Sequence, residues 1–219
     1  MGLRPLLLAL VCLGAASVLG AGCASLTVDE EAQARVSAIP LEQRRLEPLL
    51  EEAVRVAVGR AIPVRCWTRS EWPVILEESR APIGQLDPRN VLGVAVADGV
   101  AETINLSARV CEPLAALADR PALPPAGTPA LDLAQALVTV GHEAGHLVAR
   151  LATEAEAECF GAQHVSRVAQ ALGLTEAEGD LLASLYWGEV YPKSDPLYRS
   201  PECRDGGVLD LEPWSTTWP

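Results

Sequence analysis

The sequence predicts an α+β domain, mostly helical with a small β-sheet, carried behind an apolar N-terminal leader. Three observations lead there. Apolar residues recur at helical spacing over 46–58 and 133–147, the signature of a buried helix face. Thr153 with Glu156, and Thr175 with Glu178, form capping boxes in which a side-chain oxygen satisfies orphan N–H groups at a helix start. Strand character is confined to 64–76 and 91–107, and the second stretch is broken by an Asp98-Gly99 hairpin signal.

Residues 1–22 read as an export signal. Arg4 supplies the positive start, 6–19 an apolar core, and Gly20, Ala21 and Gly22 the small residues of a cleavage region. Residues 19–23 form a loose lipobox, so lipidation of Cys23 is one outcome and would tether the mature chain to a membrane. Ordinary cleavage near Ala24 is a second. An uncleaved anchor is the third, because 5–22 is just long enough to span a bilayer. Residues 23–40 are then a stalk and 41–219 the folded domain. Cys12 belongs to the leader.

Residues 28–61 are helical in pattern: Leu46, Leu49, Leu50, Ala53, Val54, Val56 and Val58 form an apolar stripe opposite Glu42, Arg45, Glu51 and Glu52, a helix with one solvated face. Pro40 and Pro48 mark starts or kinks. Val64, Cys66, Trp67, Trp72, Val74 and Ile75 give 64–76 the look of a strand. Residues 80–89 are turn-rich. Residues 91–100 and 101–107 are the two arms of the hairpin. Four prolines, Pro121, Pro124, Pro125 and Pro129, make 112–130 a surface connection. Thr128 and Pro129 start a long helix, with Leu133, Leu137, Val140 and Leu147 facing inward. It breaks near Leu151 and Ala152. A second helix starts at Glu154 and stops at Gly173; a third runs from the Thr175 cap to about Trp187.

The long helix carries His142-Glu143-Ala144-Gly145-His146, and only three histidines exist in the chain. Imidazoles four residues apart share one helix face and can hold a single Zn²⁺, with Glu143 placed to take a proton from water at the metal. A buried Glu between two His would be costly without a metal or hydrogen bonds. A third ligand can come from the next helix if it folds back on the first. Glu154 is the favoured ligand, with Glu158, one turn on, orienting a histidine; the two roles can also be exchanged. His164 reads as a surface or core residue. Tyr186, Tyr191 and Tyr198 are each possible hydrogen-bond donors to a transition state, and their spacing selects none.

His142-Glu143-x-x-His146, followed by Glu154-x-x-Ala157-Glu158-Cys159-Phe160, resembles the zincin metallopeptidases of the gluzincin type. It looks most like small envelope-associated zincin-like proteins without an assigned substrate. The resemblance covers about 25 residues and implies a zinc peptidase acting on peptides or proteins. It also implies a small sheet packed on the motif helix, whose edge strand would bind substrate backbone; the 91–107 hairpin suits that role, although it can equally serve only to complete the core. A zincin-like envelope lipoprotein that binds a partner without hydrolysis is the alternative. The connection before Glu154, shorter than gluzincins usually have, favours it.

A formal net charge of −12 argues against a nucleic-acid partner, since no basic stripe is available to neutralise phosphates. Beyond the leader and Cys23, four cysteines remain. An even count in an exported chain favours two disulfides, with three connectivities open. The pairing expected is Cys66 with Cys111 and Cys159 with Cys203. A thiolate metal site is disfavoured by the lack of any C-x-x-C pair.

Overall fold

A computed structural model describes residues 41–79, 90–97, 102–123, 125, 127–148, 153–214 and 218. The leader, Cys23, the 23–40 stalk, the Asp98-Gly99 turn and the break at Leu151 and Ala152 lie outside the described residues. The elements in chain order are α1 (Leu41–Val58), β1 (Val64–Cys66), α2 (Trp72–Glu78), β2 (Gly93–Ala97), β3 (Glu102–Leu106), α3 (Ala108–Asp119), α4 (Ala130–Val148), α5 (Glu154–Ala171) and α6 (Glu176–Leu185). After α6 the chain continues through a π-helical turn, Tyr186–Val190, and two 3₁₀ turns, Tyr191–Lys193 and Pro196–Tyr198. The α+β class and the helical majority are as expected.

Helix α4 is the centre of the core, with α5, α3, α1, α6 and strand β2 packed around it. Leu133, Ala134, Leu137, Val138, Val140 and Ala144 on it are fully buried. An apolar surface that extends most of the way round is what a core helix requires. Burying a leucine such as Leu133 or Leu137 contributes about 2 kcal/mol each. The capping boxes at Thr153 and Thr175 form as read, each threonine oxygen accepting from the N–H three residues on.

The sheet has the order β1-β3-β2, with β1 parallel and β2 antiparallel to β3. Among the described residues β2 is therefore an edge strand. Ser107 N–H donates to the Leu92 carbonyl at 2.9 Å, so Leu92 and then Val94 bond toward β3. Gly93 and Ala95 turn their backbone groups away from it, by the alternation of an antiparallel ladder.

Two expectations are corrected. Residues 64–76 are not one strand: β1 ends at Cys66, and Trp72–Glu78 is a helix with Pro73 in its first turn. Trp72, Ile75 and Leu76 are buried while Val74 is 38% exposed, which is helical spacing that a short apolar run disguises. The 112–130 segment is not wholly a connection either. Helix α3 occupies Ala108–Asp119 and buries Val110, Cys111, Leu114 and Leu117, a stripe that outweighs the single Pro113 within it. Pro121, Pro125 and Pro129 do lie in the link to α4.

The disulfides are Cys66–Cys111 and Cys159–Cys203, the pairing expected. The first ties β1 to α3; the second ties α5 to the C-terminal segment. Two such bridges suit an oxidising, exported environment. Among the described residues no helix is long and apolar enough to cross a membrane.

Candidate metal centre

Helices α4 and α5 cross where glycine faces glycine. A Cβ on Gly141 would lie 2.9 Å from Gly161 Cα, and one on Gly161 would lie 2.6 Å from the Val138 carbonyl oxygen and 2.8 Å from His142 N. No side chain fits between the two backbones. Glu154, Glu158 and Gly161 are spaced four and three apart, so they share the face of α5 that meets α4. The close crossing therefore brings both carboxylates to His142.

His142 Nε2 lies 3.1 Å from His146 Nε2 and 3.1 Å from Glu154 Oε2, and His146 Nε2 lies 3.7 Å from the same carboxylate oxygen. The edge of a tetrahedron around an ion with bonds of about 2.0–2.1 Å is about 3.3 Å. The three atoms thus form one face of such a coordination shell, and His142, His146 and Glu154 can hold a metal ion. Two histidines and a glutamate are a donor set of catalytic zinc sites.

Glu158 sits behind this face, not on it. Its Oε2 accepts from His142 Nδ1 at 2.7 Å, and its Oε1 accepts from the buried hydroxyl of Tyr186. With Nδ1–H so engaged, a neutral His142 turns the lone pair of Nε2 toward His146 and Glu154. Three acceptors converging in a half-buried place need a cation between them, a proton or a metal. In the metal-free chain it is a proton. Burial opposes charge on His142, yet the hydrogen bonds to Glu154 and Glu158, with the field of Glu143, raise its pKa to about 10. The hydrogen bonds to His142 and His146 hold Glu154 well below the usual carboxylate range.

Glu143 is buried at the other side of the motif, against strand β2. A Cβ on Gly93 would meet its Oε1 at 2.6 Å, so any larger residue there would push the Glu143 carboxylate aside. The Ala95 N–H donates to the Glu143 carboxylate. Burial pushes the Glu143 pKa up, and the two histidines counter this only in part. The side of the triad formed by His146 and Glu154 is open, with 24% and 36% of these side chains exposed.

Two further groups complete the surroundings. Arg60 donates to the Leu147 carbonyl at 3.0 Å, capping the last turn of α4. The Tyr198 ring, on the last 3₁₀ turn, lies 5.9 Å from the His142 ring. Burial first, then the negative field of Glu154, Glu158 and Glu143, keeps its hydroxyl protonated far above the ordinary tyrosine range. Tyr191 points elsewhere, bonding Ser200. His164 is a core residue: its Nδ1 donates to the Phe160 carbonyl at 2.8 Å, far from the triad along α5.

The sequence reading thus placed His142, His146, Glu143, Glu154 and Glu158, and missed Gly93, Ala95, Gly141 and Gly161. A glycine inside a helix costs about 1 kcal/mol relative to alanine, so Gly141 and Gly161 carried a signal of close approach. Gly93 and Ala95 carried none. No protein-family model, no curated protein and no solved structure matches the chain.

Proposed function

We propose that this chain is an exported zinc-dependent hydrolase that cleaves peptide bonds, with His142, His146 and Glu154 as the metal ligands. The convergence of those three ligand atoms, with a buried carboxylate beside them, carries the reading. Zinc held there supplies a Lewis acid and brings the pKa of an adjacent water toward neutrality. Glu143 accepts a proton at its carboxylate and returns it to the leaving amine. Burial raises its pKa above the usual carboxylate range, the direction that strengthens a carboxylate as a base. Gly93 and the Ala95 N–H hold the carboxylate in place. Tyr198 is the donor to the oxyanion, selected among the three tyrosines by its position beside His142. Among the described residues β2 is an edge strand, and its outward backbone groups other than the Ala95 N–H can align an extended peptide by adding a strand.

The test is Glu143→Gln in the zinc-loaded chain, assayed against a peptide library. The expected result is undiminished zinc content and a kcat lower by about 10²–10⁴-fold. Wild-type turnover in the variant refutes the assignment of the base. Stoichiometric zinc with no cleavage by the wild-type chain favours the partner-binding alternative.

A further inference from the structure

We infer that Tyr186 is a positioning residue for the metal centre: its hydroxyl holds Glu158, and through Glu158 it fixes the ring of His142. The inference rests on the metal reading above.

Tyr186 opens the π-helical turn that follows α6, and the Tyr191 N–H bonds back to the Tyr186 carbonyl across the wider loop. Such turns insert one residue and are frequent at functional sites. Here the turn delivers a ring that is 0% exposed, with its hydroxyl against Glu158 Oε1. A phenylalanine would fill the same space. A buried hydroxyl is unfavourable unless paired, so its presence is explained by the carboxylate it meets.

Glu158 is itself 6% exposed, so solvent does little to support its charge. Tyr186 O–H and His142 Nδ1–H together engage both of its oxygens. The Ser194 hydroxyl does not compete for this proton, donating to the Val190 carbonyl at 3.2 Å. The result is an ordered line of side chains, Tyr186, Glu158 and His142, ending at Nε2. If Tyr186 is lost, the carboxylate can rotate about its last torsion, and the imidazole it orients is no longer fixed.

The experiment measures zinc affinity of the full chain by competition with a chromophoric chelator, alongside the melting temperature of each metal-free protein. Tyr186→Phe should weaken zinc binding about tenfold, the lower end of what outer partners of metal ligands contribute. Glu158→Gln should weaken it more, and adding Tyr186→Phe to Glu158→Gln should cause no further loss, because Tyr186 acts through Glu158. Tyr191→Phe, whose hydroxyl serves Ser200, should leave affinity unchanged. If wild type binds zinc and Tyr186→Phe binds within twofold of it, the inference is overturned and the metal reading stands. Losses that multiply in the double variant also overturn it. Wild type that takes up no zinc removes the metal reading and this inference together. If Tyr186→Phe does not fold, Tyr186→Met, which also lacks the hydroxyl and adapts to the space, takes its place: a loss in the same direction, absent in the Glu158→Gln background, supports the inference, and unchanged affinity overturns it.

Discussion

Gly161→Ala adds one methyl group at the crossing of α4 and α5. The new Cβ would lie 2.6 Å from the Val138 oxygen and 2.8 Å from His142 N, both backbone atoms that cannot swing aside, where ordinary contact begins at 3.4 Å. The helices must therefore separate by about 0.6–0.8 Å. Metal ligand distances tolerate about 0.2 Å, so the shift is several times what the triad can absorb. Stability is a blunter readout. Overpacking costs about 1–3 kcal/mol, while replacing a helical glycine with alanine returns about 1 kcal/mol. The net loss of about 0–2 kcal/mol corresponds to a melting temperature lower by about 0–8 °C in a domain of this size. Zinc affinity is accordingly the measurement that decides, and we expect it to fall at least about tenfold. Gly188→Ala is the control, since nothing lies within 4 Å of a Cβ there. Gly161→Ala with zinc affinity within twofold of wild type would refute the claim that this crossing sets the site.

Gly93→Ala should press a methyl group onto Glu143 and leave the three ligands in place; kcat is expected to fall with zinc affinity held, and an unaltered rate would show that Gly93 does not hold the base. In the metal-free chain His142 keeps its proton to about pH 10. Zinc must displace that proton, so apparent affinity should rise at least about tenfold per pH unit below that value, more steeply where His146, also raised, is protonated. Calorimetry in buffers of different ionisation enthalpy should register the released proton, and a pH-independent affinity would contradict the assignment. A pKa raised on folding stabilises fully below the unfolded histidine value near 6.5. Metal-free stability should therefore decline as pH rises from there toward about 10, a trend His142→Gln should flatten. Replacing Cys159 and Cys203 with alanine opens a loop closed across a separation of 44 residues. The expected loss is about 4 kcal/mol, read from denaturant titration against the oxidised wild type.

The chemistry was legible where it is local. His142 and His146 share a face because the helix repeat makes residues four apart neighbours, and Thr153 announces the next helix because its oxygen caps Glu156 N–H. The same logic placed Glu154 in the first turn of α5. Helix α2 was not legible, because Trp72, Val74, Ile75 and Leu76 suit either period over so short a run. Helix α3 was obscured by the prolines just beyond it.

By itself the sequence determined the motif, the caps that bracket it and a cysteine count that pairs. The tertiary structure decided which oxygen of which glutamate faces the histidines. It also decided that β2 is the strand lying against Glu143 and that Tyr186 and Tyr198, among three tyrosines, approach the centre. The physical reason is range. Capping and helix periodicity act within one or two turns of chain, whereas the site is closed by two backbones meeting at Gly141 and Gly161, an approach set by packing across the whole core.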